Sequence, residues 1–375
     1  MRKTIAILIS LALMLSLLPG CAAGPEPAPA ETESIPAETP AAPAETEAPA
    51  ETEAPAETEA IPEPTEEIAP EETRGHYSFQ PKVCSSYMTE VFGEAMTETW
   101  YSLVDALMAG ETSFACPDED TYWWVMGQYP DMCFPVLKDL IFYTYDVENP
   151  VKDGVAEFTY TVPQEEAAAK IAEFASLVED ILNETLRDDY SDLEKALALY
   201  LYFSHHYVYD YESARPDFAP TYLSSYRVLT TGTGICQEFS VAYSYLLLQA
   251  GVDAGVMSGH RSWDHEGHQW SYVKMHGHNF HIDPTFVIGD QDSLSYFMMT
   301  DEQRKTDDFP QTDFVISSHY SNDHPHPDYA ADDDSFREIW RGRFTEFDHE
   351  TCTLSYSYWS DQGEQQTGSF DYSGW

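Results

Sequence analysis

Apolar residues recur along much of this chain at helical spacing. Between residues 85 and 110, Tyr87, Val91, Phe92, Met96, Leu103, Val104 and Leu107 predict a helix that Gly110 ends. A shorter helical segment around 118–128 carries Tyr122, Trp123, Trp124 and Met126. Leu140–Asp146 and Val155–Val162 read as the two strands of a hairpin, separated by Asn149-Pro150 and Asp153-Gly154. Pro163 opens a long helix to about Leu186. Ser191 with Glu194 forms a capping box for the next helix, through about Tyr207, with Leu193, Ala196, Leu197, Leu199, Tyr200 and Tyr202 on its apolar face. His205 and His206 suit the negative end of that helix, and as sequence neighbours they point too far apart to share a metal.

The pattern then changes. Thr233-Gly-Ile-Cys-Gln-Glu-Phe-Ser240 leads into an apolar helix reaching Ala250, stopped by Gly251. Val252–Ser258 reads as a strand, His260–Gly267 as a polar loop, and His268–Met275 as a second strand by alternation. After a turn containing Gly277, Phe280–Pro284 pairs back in an antiparallel hairpin. With Met275–His278 as the loop, Asp283 lies opposite Trp270 and diagonal to His268, roughly 7–8 Å between Cα atoms. Both side chains project from one face. At the far end, Phe344–Tyr372 alternates Thr and Ser with Leu354, Tyr356 and Tyr358, turns at Asp361-Gln362-Gly363 and resumes, which reads as a hairpin.

The N-terminus follows different rules. Arg2 and Lys3 precede an apolar run over 4–18, shorter than the roughly 20 residues that span a bilayer, so a secretion signal is expected. The run ends Leu18-Pro19-Gly20-Cys21, which resembles a bacterial lipobox and implies cleavage and lipidation at Cys21. Residues 22–75 hold 15 Glu, 11 of the chain's 24 Pro, the near-repeat Ala-Glu-Thr-Glu-Ala-Pro and no aromatic residue. Such a stretch buries too little apolar surface to offset its ordering entropy, and we read it as a disordered tether.

The formal charge of the chain is −48. The tether supplies −14 (15 Glu against Arg74), and residues 76–375 keep −36 (51 acids against 15 bases). That excludes nucleic acid as a partner, since phosphates need Lys and Arg to displace counterions. It also favours neutral or basic substrates over anionic wall polymers.

Cys236 falls in the first turn of its helix, where backbone N–H groups and the dipole stabilise a thiolate and a developing oxyanion. His268 is the expected base, and Asp283 the group that fixes its tautomer. Gly-Ile-Cys236-Gln-Glu-Phe, Gly-His268-Gln-Trp-Ser-Tyr-Val and His-Ile-Asp283-Pro-Thr-Phe resemble, in order and spacing, the three motifs of the transglutaminase-like superfamily. The resemblance covers roughly residues 190–300. It implies an α+β, papain-like core with the cysteine helix packed on an antiparallel sheet. It further implies a thioester route on peptide or protein amides, by hydrolysis or transfer, and an upstream oxyanion side chain for which Tyr222 and Tyr226 are in range. Trp270, Gln237 and Tyr226 are the candidate groove residues. The alternative is a catalytically silent surface module binding peptide or glycan in the same groove.

No metal and no cofactor are expected. His260, His265 and His268 with Asp264 and Glu266 lack the helical zinc signature, and His319–Asp334 lacks the spaced ligands of a calcium loop. Excluding Cys21, five cysteines remain, an odd number that suits a free Cys236 with at most two disulfides among Cys84, Cys116, Cys133 and Cys352. The expected organisation is a signal peptide at 1–20 and a lipidated cysteine with tether at 21–75. A helical and hairpin subdomain at 76–162 precedes the catalytic core at 163–310. An acidic loop with a C-terminal β hairpin at 311–375 ends the chain. The expected location is the outer face of the bacterial cytoplasmic membrane, lipid-anchored, or secreted if the lipobox is not used. Oligomeric state is not legible.

Overall fold

The structure, a computed structural model, describes residues 75–142, 149–215, 223–260, 267–306 and 330–375. The leader, Cys21, the tether, residues 143–146 of the first expected strand, Tyr222, the 261–266 loop with His265, and 307–329 lie outside the described residues.

Helix α1 (Ser86–Phe92) is capped by Ser85, whose Oγ accepts from Tyr87 N at 3.2 Å. The single helix expected over 85–110 is two: Gly93, at φ 89°, breaks the run, and α2 (Glu94–Met108) resumes after it. Helix α3 (Glu119–Cys133), capped by Asp118, extends beyond the predicted end, and α4 (Leu137–Leu140) is one turn. The expected hairpin is replaced by short strands: β1 (Ser113–Ala115), β2 (Ile141–Phe142), β3 (Val151–Lys152), β4 (Val155–Glu157) and β5 (Thr159–Tyr160). They form two sheets, β1-β4-β3 and β2-β5. Asp153 and Gly154, at φ 52° and 79°, close the two-residue turn between β3 and β4, a conformation that Asp-Gly adopts readily.

Helix α5 (Gln164–Thr185) starts after Pro163. The chain entering the domain lies along it: the backbone N–H groups of His76, Tyr77 and Phe79 donate to Asp188, Asn183 and Glu179 at 2.6, 2.6 and 2.8 Å. Helix α6 (Asp192–His206) carries the predicted capping box, Ser191 N to Glu194 Oε2 at 2.7 Å and Glu194 N to Ser191 Oγ at 3.3 Å. Strand β6 (Val208–Tyr209), helix α7 (Ser225–Thr231) and strand β7 (Thr233–Gly234), parallel to β6, lead into helix α8 (Cys236–Gln249).

The central sheet has the order β10-β9-β8, all antiparallel, from β8 (Ala254–His260), β9 (Gly267–Met275) and β10 (His278–Ile282). Its register pairs Met275 with His278 and Ser271 with Ile282, the register the loop length predicts. Helix α8 covers one face, where Ser244 Oγ donates to Gly255 O at 2.8 Å and Ser271 Oγ to Ser240 O at 2.9 Å. Helices α9 (Pro284–Gly289) and α10 (Asp301–Thr306) follow. The C-terminus is a three-stranded antiparallel meander rather than a hairpin: β11 (Arg343–Asp348), β12 (Thr353–Trp359) and β13 (Gln365–Asp371). The extra strand, β11, occupies the start of that stretch. This meander is a sheet of its own, tied to α6 by Tyr372 Oη donating to Glu194 Oε1 at 2.8 Å. One buried apolar cluster runs from Trp100 and Tyr129 through Phe174, Phe203 and Phe239 to Phe280, Phe336 and Phe370.

Candidate active site

The loop before Cys236 is held by charge. Glu238 is 1% exposed and reaches back to Ile235 N at 3.1 Å and Ser224 N at 3.0 Å, while Arg227 Nε donates to it at 2.8 Å. Arg227 also donates to Asp210 at 2.8 Å. Burial opposes the charge on Asp210, yet Arg227 and Ser213 outweigh it and hold the carboxyl down to about 2. Gly234 fits because nothing larger can: a Cβ there would lie 2.4 Å from Val228 Cγ2. The strap therefore delivers Cys236 to the first position of α8, where the helix dipole acts on it.

Strand β9 lies against that helix end. Gln269 Nε2 donates to Ser240 Oγ at 2.9 Å and Gln237 O at 3.3 Å, so the residue beside His268 is bonded to the residue beside Cys236. The His268 side chain is 3% exposed, with its ring 5.9 Å from Trp270 and 5.1 Å from Phe286. Its Nε2 lies 2.6 Å from Asp283 Oδ2, which makes Nε2–H the donor and leaves Nδ1 as the basic nitrogen. Asp283 caps α9, its Oδ1 accepting from Thr285 N at 3.0 Å.

Arg304, which sequence reasoning did not single out, completes this pair. Fully buried on α10, it donates from Nη2 to Asp283 Oδ2 at 2.8 Å and lies 4.4 Å from the Trp270 ring centroid. Burial would raise the Asp283 carboxyl, but His268 and Arg304 together hold it below the usual range. The signal available in the sequence was one Arg on a short helix outside the three motifs.

Trp270 is not a groove residue. It is fully buried, and its Nε1–H donates to His281 Nδ1 at 2.9 Å while His281 Nε2 lies 2.9 Å from Asp301 Oδ1. The alternation placed it on the face of His268, but protein covers that face. Burial pushes the His281 imidazole down despite Asp301, which keeps it neutral and able to accept the indole hydrogen. Gln237 is half-buried on the first turn of α8. Tyr226, on α7, packs its ring 5.7 Å from Phe174 of α5.

Cys84, Cys116, Cys133 and Cys352 are free thiols, so no disulfide forms among these four.

Residues 179–284, which hold Cys236, His268 and Asp283, match the family model of the transglutaminase-like superfamily, and this segment is a transglutaminase-like domain. No curated protein matches the chain in sequence. Among solved structures, a protein described as a proposed cysteine protease from Cytophaga hutchinsonii is 13% identical, with a TM-score of 0.25 over 35% of this chain and 39% of that one. A structure described as a TGase is 22% identical, with a TM-score of 0.28 over 33% of this chain and 34% of that one. The chain thus spans between a third and two fifths of the length of these solved relatives.

Proposed function

We propose that the domain is a cysteine enzyme acting on peptide or protein amides through a thioester on Cys236. His268 Nδ1 takes the thiol proton, and the sulfur attacks the amide carbonyl carbon. The backbone N–H groups opening α8 face the oxyanion that develops. The protonated imidazole then returns its proton to the leaving nitrogen as the C–N bond breaks, releasing ammonia or an amine. Water, or a second amine, gives a proton to the same nitrogen and attacks the thioester, which restores the thiol. Asp283 holds the ring orientation and stabilises the imidazolium. On this reading the enzyme is exported and held at the outer face of the cytoplasmic membrane by a lipid on Cys21, or secreted if the lipobox is not used.

The observation that carries this reading is the buried His268–Asp283 pair, 2.6 Å apart, beside the helix that begins with Cys236. The second reading is the silent module that binds peptide or glycan in the same groove. Iodoacetamide labelling against pH, with and without reductant and mapped site by site, separates the two. Mapping matters because the Cys133 hydrogen bond lowers the Cys84 thiol as well, outweighing burial. For an enzyme, reduced Cys236 labels with an apparent pKa well below about 8.5 that rises in His268→Ala. A Cys236 that stays inert after reduction, or ignores His268, leaves the silent module.

A further inference from the structure

The two edges of the C-terminal meander differ. The β11 edge is covered and bent: Phe344 N donates to Asp292 O at 2.7 Å, Ser293 bridges to Arg343, and the β11–β12 register shifts between Phe344 and Glu346. Cover and bulges are ways of blunting a strand that would otherwise pair with another chain. The β13 edge has neither among the described residues. It pairs with β12 without a shift, and Gln365–Phe370 holds no charged residue and no proline.

The outward groups of β13 follow from its pairing. Ser360 N donates to Glu364 O and Tyr372 N to Cys352 O, both at 2.9 Å, so the even-numbered residues of β13 are those bonded to β12. The N–H and C=O groups of Gln365, Thr367, Ser369 and Asp371 therefore point away from β12, and all four residues are exposed. Among the described residues no other strand pairs with this edge.

We propose that β13 pairs with β13 of a second copy, antiparallel about a two-fold axis at Gly368, to make one six-stranded sheet. The strand is complementary to itself in that register. Thr367 falls opposite the partner's Ser369, and Gln365 opposite the partner's Asp371, so hydroxyls meet and like charges do not. Gly368 meets its own copy at the axis, where the backbones come closest and no side chain intervenes. All four outward residues of each strand are engaged, whereas sliding one strand by two positions leaves one unpaired. A two-fold pairing closes on itself, and the covered β11 edges end the sheet on both sides. The −36 charge of residues 76–375 (51 acids, 15 bases) opposes association, so the dimer tightens as salt screens it. A basic extended peptide, the other occupant that fits such an edge, would weaken with salt.

Sedimentation of the full chain across micromolar concentrations, at low and high salt, tests the pairing. A reversible monomer–dimer equilibrium favoured by salt is expected. Thr367→Pro removes an outward N–H where an edge strand tolerates proline, and should weaken the dimer about tenfold with an unchanged melting temperature. Two exposed variants read the register. Gln365→Asp sets like charges opposite each other and weakens the dimer, whereas Gln365→Lys meets the partner's Asp371 and strengthens it. A chain that stays monomeric throughout overturns the proposal, and so does a dimer that weakens with salt. A dimer that survives Thr367→Pro, or responds alike to both substitutions of Gln365, overturns it equally.

Discussion

One oxygen of Asp283 serves two N–H donors: Oδ2 lies 2.6 Å from His268 Nε2 and 2.8 Å from Arg304 Nη2. The guanidinium is permanently charged, so the carboxylate stays ionised whether or not the imidazole carries a proton. Its negative charge is then divided, and the imidazolium is stabilised less than a dedicated carboxylate would stabilise it.

Removing the guanidinium exposes that division. Arg304→Met leaves Asp283 buried with one fewer partner and is expected to destabilise the protein by about 3–5 kcal/mol, read from urea unfolding. In the fraction that stays folded, the Cys236 labelling pKa falls, because His268 then has the carboxylate to itself. Arg304→Lys retains most of the stability. A labelling profile indifferent to both variants would show that Arg304 acts on packing alone.

Asp283→Asn is expected to act in the opposite direction on reactivity. The amide cannot hold the Nε2–H tautomer as the carboxylate does, and reduced Cys236 should label about tenfold more slowly at neutral pH. Equal rates in wild type and variant would remove Asp283 from the mechanism.

The clasp under the cysteine loop predicts a pH effect. The Asp210 carboxyl is lowered to about 2 in the folded chain, from an ordinary value near 3.9. Its contribution is therefore present above about pH 4 and lost as pH falls toward 2. Arg227→Ala removes that contribution and strands Glu238, whose side chain is 1% exposed, at about 3–5 kcal/mol. Unfolding free energies across pH 2–5 for both proteins measure the difference, and parallel curves would refute it.

His281 titrates in the other sense. Burial lowers its folded pKa, so the unfolded chain binds a proton first. Stability is full above about pH 6.5 and declines as pH falls below it, by at most about 1.4 kcal/mol per pH unit from this group. Protonation sets an N–H of His281 against the Trp270 N–H and adds charge near Arg304, with Asp301 and Asp283 opposing. His281→Gln, whose carbonyl accepts from Trp270, should flatten the wild-type slope between pH 6.5 and 5. An undiminished slope assigns that limb to other histidines.

Gly234→Ala tests the cysteine strap sterically. The added methyl meets Val228 Cγ2 at 2.4 Å, so about 1–3 kcal/mol of stability should be lost, with a slower Cys236. An unaltered melting temperature would show that the strap moves aside freely.

Local signals carried far in this chain. The Ser191–Glu194 box, the Asp153-Gly154 turn and the sheet register, Met275 with His278, follow from neighbouring residues or from counting along a hairpin. Long-range facts did not. Alternation puts Trp270 with His268, but it does not say that α10 covers their face. Arg304 meets Asp283 from 21 positions away through a six-residue helix that has no periodicity to read. Gly93 was visible as a residue and not as a break, because the apolar spacing continues across it.

The strap of His76, Tyr77 and Phe79 along α5 has a mechanical consequence. Its three N–H bonds meet acceptors in the order 188, 183, 179, so the strap runs antiparallel to the helix. A force drawing the chain outward at residue 75 reaches these bonds one after another, beginning at Asp188. Each opens alone, at low load, as a peeled strip does. The first acceptor lies three residues past the end of the helix and the other two are about one turn apart on it, so the first lengthening under tension shortens nothing in the core. The domain would yield several residues of slack before any pull arrived at Gln249, which Gln80 N joins at 2.9 Å on the helix that begins with Cys236.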